Sequence, residues 1–153
     1  MRAFIAVEIP ETVRKKVTEL IDAVRGNLPI KWVEFQNLHI TIKFLGEVPE
    51  EMVDGVITIA DQSKKNFKPF EMSLENLGCF PDQRNPRVVW IGVQDGKENL
   101  VELQKRLDVD LAALKFEPEK RFHAHLTIGR TKARCDVSGI LEKKFLSERF
   151  LVK

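Results

Sequence analysis

The sequence predicts an α+β fold with two similar lobes that face each other. Segments with strand-like alternation and segments with helical spacing of apolar residues are interspersed along all 153 residues, which is typical of α+β proteins. No stretch rich in Gly, Ser or Pro separates them, so we treat residues 1–153 as a single domain. A strand, a helix and a His-x-Thr strand follow one another in residues 1–45 and again in residues 87–130. This internal repeat predicts the two lobes.

Strands are predicted where apolar and polar residues alternate or where branched apolar residues run together. In chain order the predicted strands are Phe4–Ile9, Lys31–Glu34, Leu38–Leu45, Phe70–Leu77, Arg87–Val93, His123–Arg130 and Phe150–Val152. The segment Gly78–Pro86 is rich in turn-forming residues, which predicts a loop before the fifth strand.

Helices are predicted where apolar residues recur every three or four positions. They are expected at Glu11–Val24, Pro49–Gln62, Leu100–Leu114 and Ser138–Leu146. The first has the clearest limits, because Pro10 precedes it and Gly26 follows it, and these residue types mark helix starts and ends.

The composition is that of an ordinary water-soluble globular protein, with 43% hydrophobic and 31% charged residues. No apolar run approaches the roughly 20 residues of a membrane span, and Glu8 and Pro10 interrupt any signal-peptide core. We therefore expect a cytoplasmic protein that has no membrane partner, with Cys79 and Cys135 as reduced thiols. The net charge of +2 does not predict a long nucleic-acid-binding surface.

Two of the three histidines begin the same short pattern, His-x-Thr-x, in which both x residues are branched and apolar. Since alternate residues of a strand point to the same face, His39 and Thr41 are predicted to project together, and so are His125 and Thr127. Two such matches arise by chance in on the order of one chain in two hundred. The pair therefore indicates a functional site.

The chemistry that two histidines support is acid–base catalysis. Imidazole titrates near neutral pH, so one histidine can accept a proton while the other donates one. In-line displacement at phosphorus needs such groups on opposite sides of the phosphoryl group, and two facing lobes place them there. Threonine hydroxyls beside each imidazole can hydrogen-bond the non-bridging phosphate oxygens. This chemistry requires no metal ion, and we expect no cofactor.

The chain resembles the 2H phosphoesterase superfamily and, within it, the RNA 2′,3′-cyclic phosphodiesterases, historically named 2′-5′ RNA ligases. The stretches that carry the resemblance are Phe4–Pro10, Trp32–Val33, Asn37–Gly46, Gly78–Pro81, Pro86–Trp90 and Phe122–Arg130. It implies a bilobal α+β fold with a cleft between two antiparallel sheets. It also implies that His39 donates a proton to the leaving group, that His125 activates water, and that Thr41 and Thr127 contact phosphate.

The resemblance further implies hydrolysis of RNA 2′,3′-cyclic phosphate ends to 2′-phosphate ends. Members of the superfamily usually continue for another strand beyond the position of Phe150–Lys153, so an unpaired sheet edge is expected here. Three alternatives stay open. These are the reverse joining of RNA ends such as tRNA halves, hydrolysis of small cyclic nucleotides, and non-catalytic binding of an RNA end or a nucleotide.

Three further residues are candidates for the site. Arg130 has the opposite strand parity to His125, but it lies at a strand end where the backbone can turn towards a phosphate; the alternative is a surface arginine. Phe80, expected in a loop beside Pro81, is a candidate for stacking on a base. His123 is interpreted as a spare histidine at the mouth of the cleft, because no third candidate metal ligand lies near it in the sequence. A monomer is expected.

Overall fold

The computed structural model describes residues 1–65, 67–119 and 121–152. Its strands are β1 (Arg2–Glu8), β2 (Ile30–Trp32), β3 (His39–Glu47), β4 (Phe70–Met72), β5 (Leu74–Phe80), β6 (Val88–Val93), β7 (His125–Thr131) and β8 (Phe150–Val152). Its α-helices are α1 (Glu11–Val24), α2 (Glu50–Lys65), α3 (Lys97–Leu111) and α4 (Ser138–Leu141). Short 3-10 helices cover Phe35–Asn37 and Ala112–Leu114. None of the helices described is both long and apolar enough to cross a bilayer.

Each His-x-Thr strand pairs with a strand that precedes it in the chain. Strand β3 pairs antiparallel with β1, and β7 pairs antiparallel with β6 inside a four-stranded sheet of order β2-β7-β6-β5. Strands β3 and β7 also contact each other directly. The predicted α+β fold with two antiparallel sheets is confirmed, and a third, two-stranded sheet of β4 and β8 accompanies them.

The core lies between the sheets and the helices. Helix α1 buries the apolar stripe that its sequence predicts, which consists of Val13, Val17, Leu20 and Ile21. The x residues of both His-x-Thr-x patterns are buried as well: Ile40, Ile42, Leu126 and Ile128 are at most 2% exposed. Burial of each such side chain stabilises the fold by about 1.5–3 kcal/mol. The same alternation therefore anchors each strand and turns its His and Thr away from the core.

A β-bulge follows the threonine of each pattern. Thr41 and Lys43 pair with neighbouring residues of β1, so the residue between them is extra. Thr127 and Gly129 pair with neighbouring residues of β6, so the residue between them is extra too. An extra residue in one strand shifts every later side chain to the other face. The two lobes thus share a backbone irregularity as well as a motif.

Three elements differ most from those predicted. The strand expected at Phe70–Leu77 is divided into β4 and β5 at Ser73, whose hydroxyl donates to the Asp95 carboxylate over 3.1 Å. The loop expected at Gly78–Pro86 begins later, because the residues up to Phe80 continue β5. The helix expected at Ser138–Leu146 is a single turn.

Strands β1 and β8 each pair on one side only among the residues described. Both line a groove of about 650 Å³, whose other walls include residues of α2 and α3. An unpaired sheet edge was expected near Phe150–Val152, and the edge of β1 is unpaired as well.

Candidate active site

One cleft of about 420 Å³ is lined by residues from both His-x-Thr strands. His39 and Thr41 enter it from β3, and Thr127 and Arg130 enter it from β7. The rest of its lining comes from the segment before β3 and consists of Lys31, Trp32, Val33, Glu34 and Asn37. The two patterns, which are distant in the chain, therefore face the same space. The larger groove beside β1 has no histidine in its lining.

The bulge in β7 explains how Arg130 reaches this cleft. Strict alternation would put Arg130 on the face opposite to Thr127. The extra residue between Thr127 and Gly129 reverses that parity, so Arg130 is exposed and lines the cleft. From the sequence, a backbone turn at the strand end was expected to bring Arg130 to the site. The structure shows that a β-bulge does so instead.

The matching bulge in β3 has the opposite effect on Lys43. Alternation would place this lysine on the cleft face with His39 and Thr41, but the bulge turns it into the core, where it is 1% exposed. There its ammonium group pairs with the Asp108 carboxylate and donates to the main-chain oxygen of Glu117 over 2.9 Å. This buried ion pair ties the strand that carries His39 to α3.

His125 is half-buried and is not among the residues that line the cleft, although Thr127 of the same strand is. Its Nδ1 is 2.6 Å from the main-chain oxygen of His123. A carbonyl oxygen only accepts hydrogen bonds, so Nδ1 carries the proton and Nε2 of the neutral ring keeps its lone pair. Burial is the main cause that lowers the pKa of His125; the bond to His123 opposes it, and the nearby charges of His123 and Arg130 lower the pKa further. A neutral ring with a free Nε2 is suited to accept a proton.

Three rings surround His125. Phe80 meets it edge-on with centroids 5.5 Å apart, Trp90 lies at 6.0 Å and His123 at 5.4 Å. Trp90 lies flat across β5, where a Cβ on Gly78 would come within 2.2 Å of its ring. The expectation of a loop position for Phe80 is wrong, because Gly78 leaves space for the tryptophan and lets β5 continue. Base stacking by Phe80 stays a prediction, while its contact with His125 is an observation.

His39 has a different environment. Its ring stacks on the ring of Phe4 from β1, with centroids 4.7 Å apart and planes inclined by 11°. Phe4 itself is 47% exposed. One imidazole is therefore enclosed by an aromatic cluster, and the other is stacked on a single open ring.

Several of these features cannot be found from the pattern of residues alone. The sequence singled out His123 only as a spare histidine, whereas its main-chain oxygen orients His125. Phe4 and Trp90 belong to stretches that carry the family resemblance, but alternation gives no sign that either ring would contact a histidine. Among the described residues, no group of three or more His, Cys, Asp or Glu side chains is placed to hold a metal ion.

Comparisons with known proteins agree with this architecture. The model of the family described as LigT like Phosphoesterase matches residues 7–90 and 91–143. A relative from Archaeoglobus fulgidus, named RNA 2′,3′-cyclic phosphodiesterase, is 40% identical over 150 residues, covering 98% of this chain and 84% of the relative. A relative of the same name from Methanothermobacter thermautotrophicus is 37% identical, and the match covers 86% of this chain and 72% of the relative.

Solved structures lead to the same group. A crystal structure of a Thermus thermophilus protein superposes with a TM-score of 0.86 at 30% identity and covers 99% of this chain and 84% of that one. The E. coli LigT structure complexed with 3′-AMP superposes with a TM-score of 0.74 at 24% identity, covering 99% and 83%, and supports the fold alone. With a family model that matches most of its length and with close relatives over nearly all of it, the chain belongs to the LigT-like phosphoesterase family.

Proposed function

We propose that this chain hydrolyses RNA 2′,3′-cyclic phosphate ends to 2′-phosphate ends, with His125 as general base and His39 as general acid. The observation that carries the proposal is the single cleft into which His39, Thr41, Thr127 and Arg130 project. The relatives named RNA 2′,3′-cyclic phosphodiesterase support the substrate class.

The first half of the reaction is activation of water by His125. Its Nδ1 is occupied by the bond to the His123 oxygen, so Nε2 takes a proton from water as the water oxygen forms a bond to phosphorus. The lowered pKa keeps His125 unprotonated near neutral pH. Only an unprotonated ring can act in this way.

The second half is departure of the ribose 3′-oxygen. The bond between phosphorus and this oxygen breaks with its electron pair left on oxygen, and His39 supplies the proton that converts it to a hydroxyl. The phosphate stays attached to the 2′-oxygen. Protonation of the leaving oxygen matters because an alkoxide is a poor leaving group, and general acid catalysis contributes roughly 10²–10⁴-fold.

The remaining cleft residues act on the non-bridging phosphate oxygens. The hydroxyls of Thr41 and Thr127 donate hydrogen bonds, and the Arg130 guanidinium adds a positive charge and a planar pair of donors. These donors stabilise negative charge that grows as water attacks. We therefore expect Arg130→Ala to lower kcat/KM by about 10²-fold, and Arg130→Lys to lower it less.

The alternatives differ from this proposal in identifiable ways. Joining of RNA ends, including tRNA halves, is the same reaction with a 5′-hydroxyl in place of water, and the high concentration of water favours hydrolysis. Non-catalytic binding does not require a His125 ring whose tautomer is fixed by a hydrogen bond to the His123 oxygen. Small cyclic nucleotides present the same reacting group, and a comparison of kcat/KM for a cyclic mononucleotide and for RNA distinguishes the two substrates. Free cysteines persist in reducing compartments, so Cys79 and Cys135 favour the cytoplasm. The monomer expected from the sequence stays a prediction.

The test is incubation with a short RNA that ends in a 2′,3′-cyclic phosphate, in the presence of EDTA. The proposal predicts a 2′-phosphate end from the unmodified protein and loss of turnover in His39→Ala. A 3′-phosphate product would contradict the proposed direction of ring opening. Binding of the RNA by the folded protein with no turnover would favour the non-catalytic alternative.

A further inference from the structure

The cleft face of the β1–β3 pair carries two exposed aromatic rings. Phe4 and Phe44 lie opposite each other in the antiparallel register, and they are 47% and 50% exposed. Phe4 stacks on His39, so the aromatic face adjoins the catalytic imidazole directly. The guanidinium of Arg2 lies over the Phe44 ring, 5.4 Å from its centroid. Arg2, Phe4 and Phe44, which we call the aromatic face, thus extend from His39 towards the end of the sheet.

The backbone is arranged to bring Phe44 to this face. The bulge after Thr41 turns Lys43 inward and thereby sends Phe44 outward. Phe44 is the third residue after Thr41. The third residue after Thr127 in the second lobe is Arg130, which lines the cleft. The same irregularity therefore presents an arginine to the cleft in one lobe and a large apolar ring in the other.

Exposed rings on a sheet, beside a cation, have the chemistry of a single-stranded nucleic-acid surface. Aromatic rings stack on any base, and an arginine adds attraction to the backbone phosphates. A protein partner is less suited to this face, because Phe4 stacks on His39 and a protein docked there would cover that imidazole. RNA that enters the cleft by its 3′ end must instead leave it along one of the adjoining faces.

We propose that the aromatic face binds the nucleotides that precede the cyclic phosphate, so that the substrate is an RNA strand rather than a free cyclic nucleotide. This inference rests on the proposed function. The terminal nucleoside and its phosphate occupy the cleft, the preceding base stacks on Phe4 or Phe44, and Arg2 contacts a backbone phosphate. RNA of two or more nucleotides gains contacts that a mononucleotide lacks.

The experiment compares kcat/KM for 2′,3′-cyclic AMP with that for a pentanucleotide ending in the same cyclic adenosine. The ratio of the two values is the length preference. Loss of stacking on one base reduces binding by about five- to 150-fold, so Phe44→Ala should reduce the length preference by a factor in that range, mainly through KM. Phe44→Trp should restore it, because indole also stacks.

Ile57→Ala is the matched control, because this α2 side chain is similarly exposed, at 53%, and lies outside the face. It should leave the length preference unchanged. Arg2→Ala should reduce the salt dependence of KM for the pentanucleotide, as expected for loss of a phosphate contact. An equal effect of Phe44→Ala on both substrates, or none, would overturn the inference.

A failure of the proposed function would look different. In that case the unmodified protein would hydrolyse neither substrate. The aromatic face is then tested by fluorescence anisotropy of a labelled pentanucleotide, where weaker binding to Phe44→Ala than to Ile57→Ala supports the surface and equal binding overturns it.

Discussion

The imidazole of His125 donates a hydrogen bond from Nδ1 to the main-chain oxygen of His123, 2.6 Å away. The two residues are the ends of the sequence His123-Ala124-His125, whose last residue begins β7, so the chain itself supplies the acceptor that selects the tautomer. The side chain of His123 contributes a further contact, with its Nδ1 3.4 Å from Nδ1 of His125. Orientation of His125 therefore depends more on the backbone of residue 123 than on its side chain.

Substitutions at these two histidines should have unequal effects. We expect His125→Ala to lower kcat by about 10²–10⁴-fold, because it removes the general base. His123→Ala retains the main-chain oxygen and should lower kcat by less than about tenfold. Single-turnover rates with a cyclic-phosphate RNA provide the measurement. Equal losses in the two variants would show that the ring of His123 takes part in the reaction.

The rate should fall on the acidic side at a pH below the ordinary histidine value. Protonated His125 cannot accept a proton, so activity is lost as the pH falls through its pKa, and burial above all lowers that pKa. His123→Phe keeps an aromatic ring and the main-chain oxygen but removes one nearby positive charge. The acidic limb of the kcat/KM profile should therefore move to higher pH in this variant. A shift to lower pH would contradict the assigned base.

Gly78 should be required for activity although it contacts no substrate in this account. A methyl group there would lie within 2.2 Å of the Trp90 ring, which packs against His123 and stands near His125. We expect Gly78→Ala to lower the free energy of unfolding by about 1–3 kcal/mol and to reduce kcat in the protein that remains folded.

Gly139→Ala is the matched control, since no atom beyond its chain neighbours and its own helix backbone lies within 4 Å of a Cβ built at that glycine. Urea denaturation and kcat should both be close to those of the unmodified protein. If Gly78→Ala behaved in the same way, Trp90 would not be fixed by contact with β5.

The buried pair of Lys43 and Asp108 should be important for stability. Asp108 also accepts a hydrogen bond from Gln104 over 2.7 Å, so loss of the lysine leaves a buried, partly paired carboxylate. Lys43→Met should lower the free energy of unfolding by about 3–5 kcal/mol, measured by urea denaturation. Lys15→Ala, which breaks an exposed pair with Glu11, should cost less than about 1 kcal/mol. Similar losses would mean that the buried pair adds little.

Residue spacing was sufficient to predict much of this fold. The apolar positions of α1 and the alternation in β3 and β7 follow from spacing alone, because burial of one face determines both patterns. The repeat of strand, helix and His-x-Thr strand predicted two lobes that face each other. His39, Thr41 and Thr127 were accordingly expected at one site, and all three line the same cleft.

The bulges could not be predicted in this way. They depend on register between strands that are distant in the sequence, and a single extra residue is invisible in a pattern of period two. Alternation alone would place Lys43 in the cleft and Arg130 outside it. In the structure Lys43 is buried and Arg130 lines the cleft. The position of Phe80 was missed for a related reason, since only the packing of Trp90 over Gly78 shows why β5 continues.

His39 and His125 have different roles in the proposed reaction, and a change of leaving group separates the two. An RNA whose terminal cyclic phosphate carries sulfur in place of the 3′-oxygen releases a thiolate, which needs little protonation because thiols ionise near about pH 8.5. We expect His39→Ala to cleave this substrate within about tenfold of the unmodified protein, whereas His125→Ala should stay slower by about 10²–10⁴-fold. If sulfur restored the rate of His125→Ala instead, or of neither variant, the assignment of acid and base would be wrong.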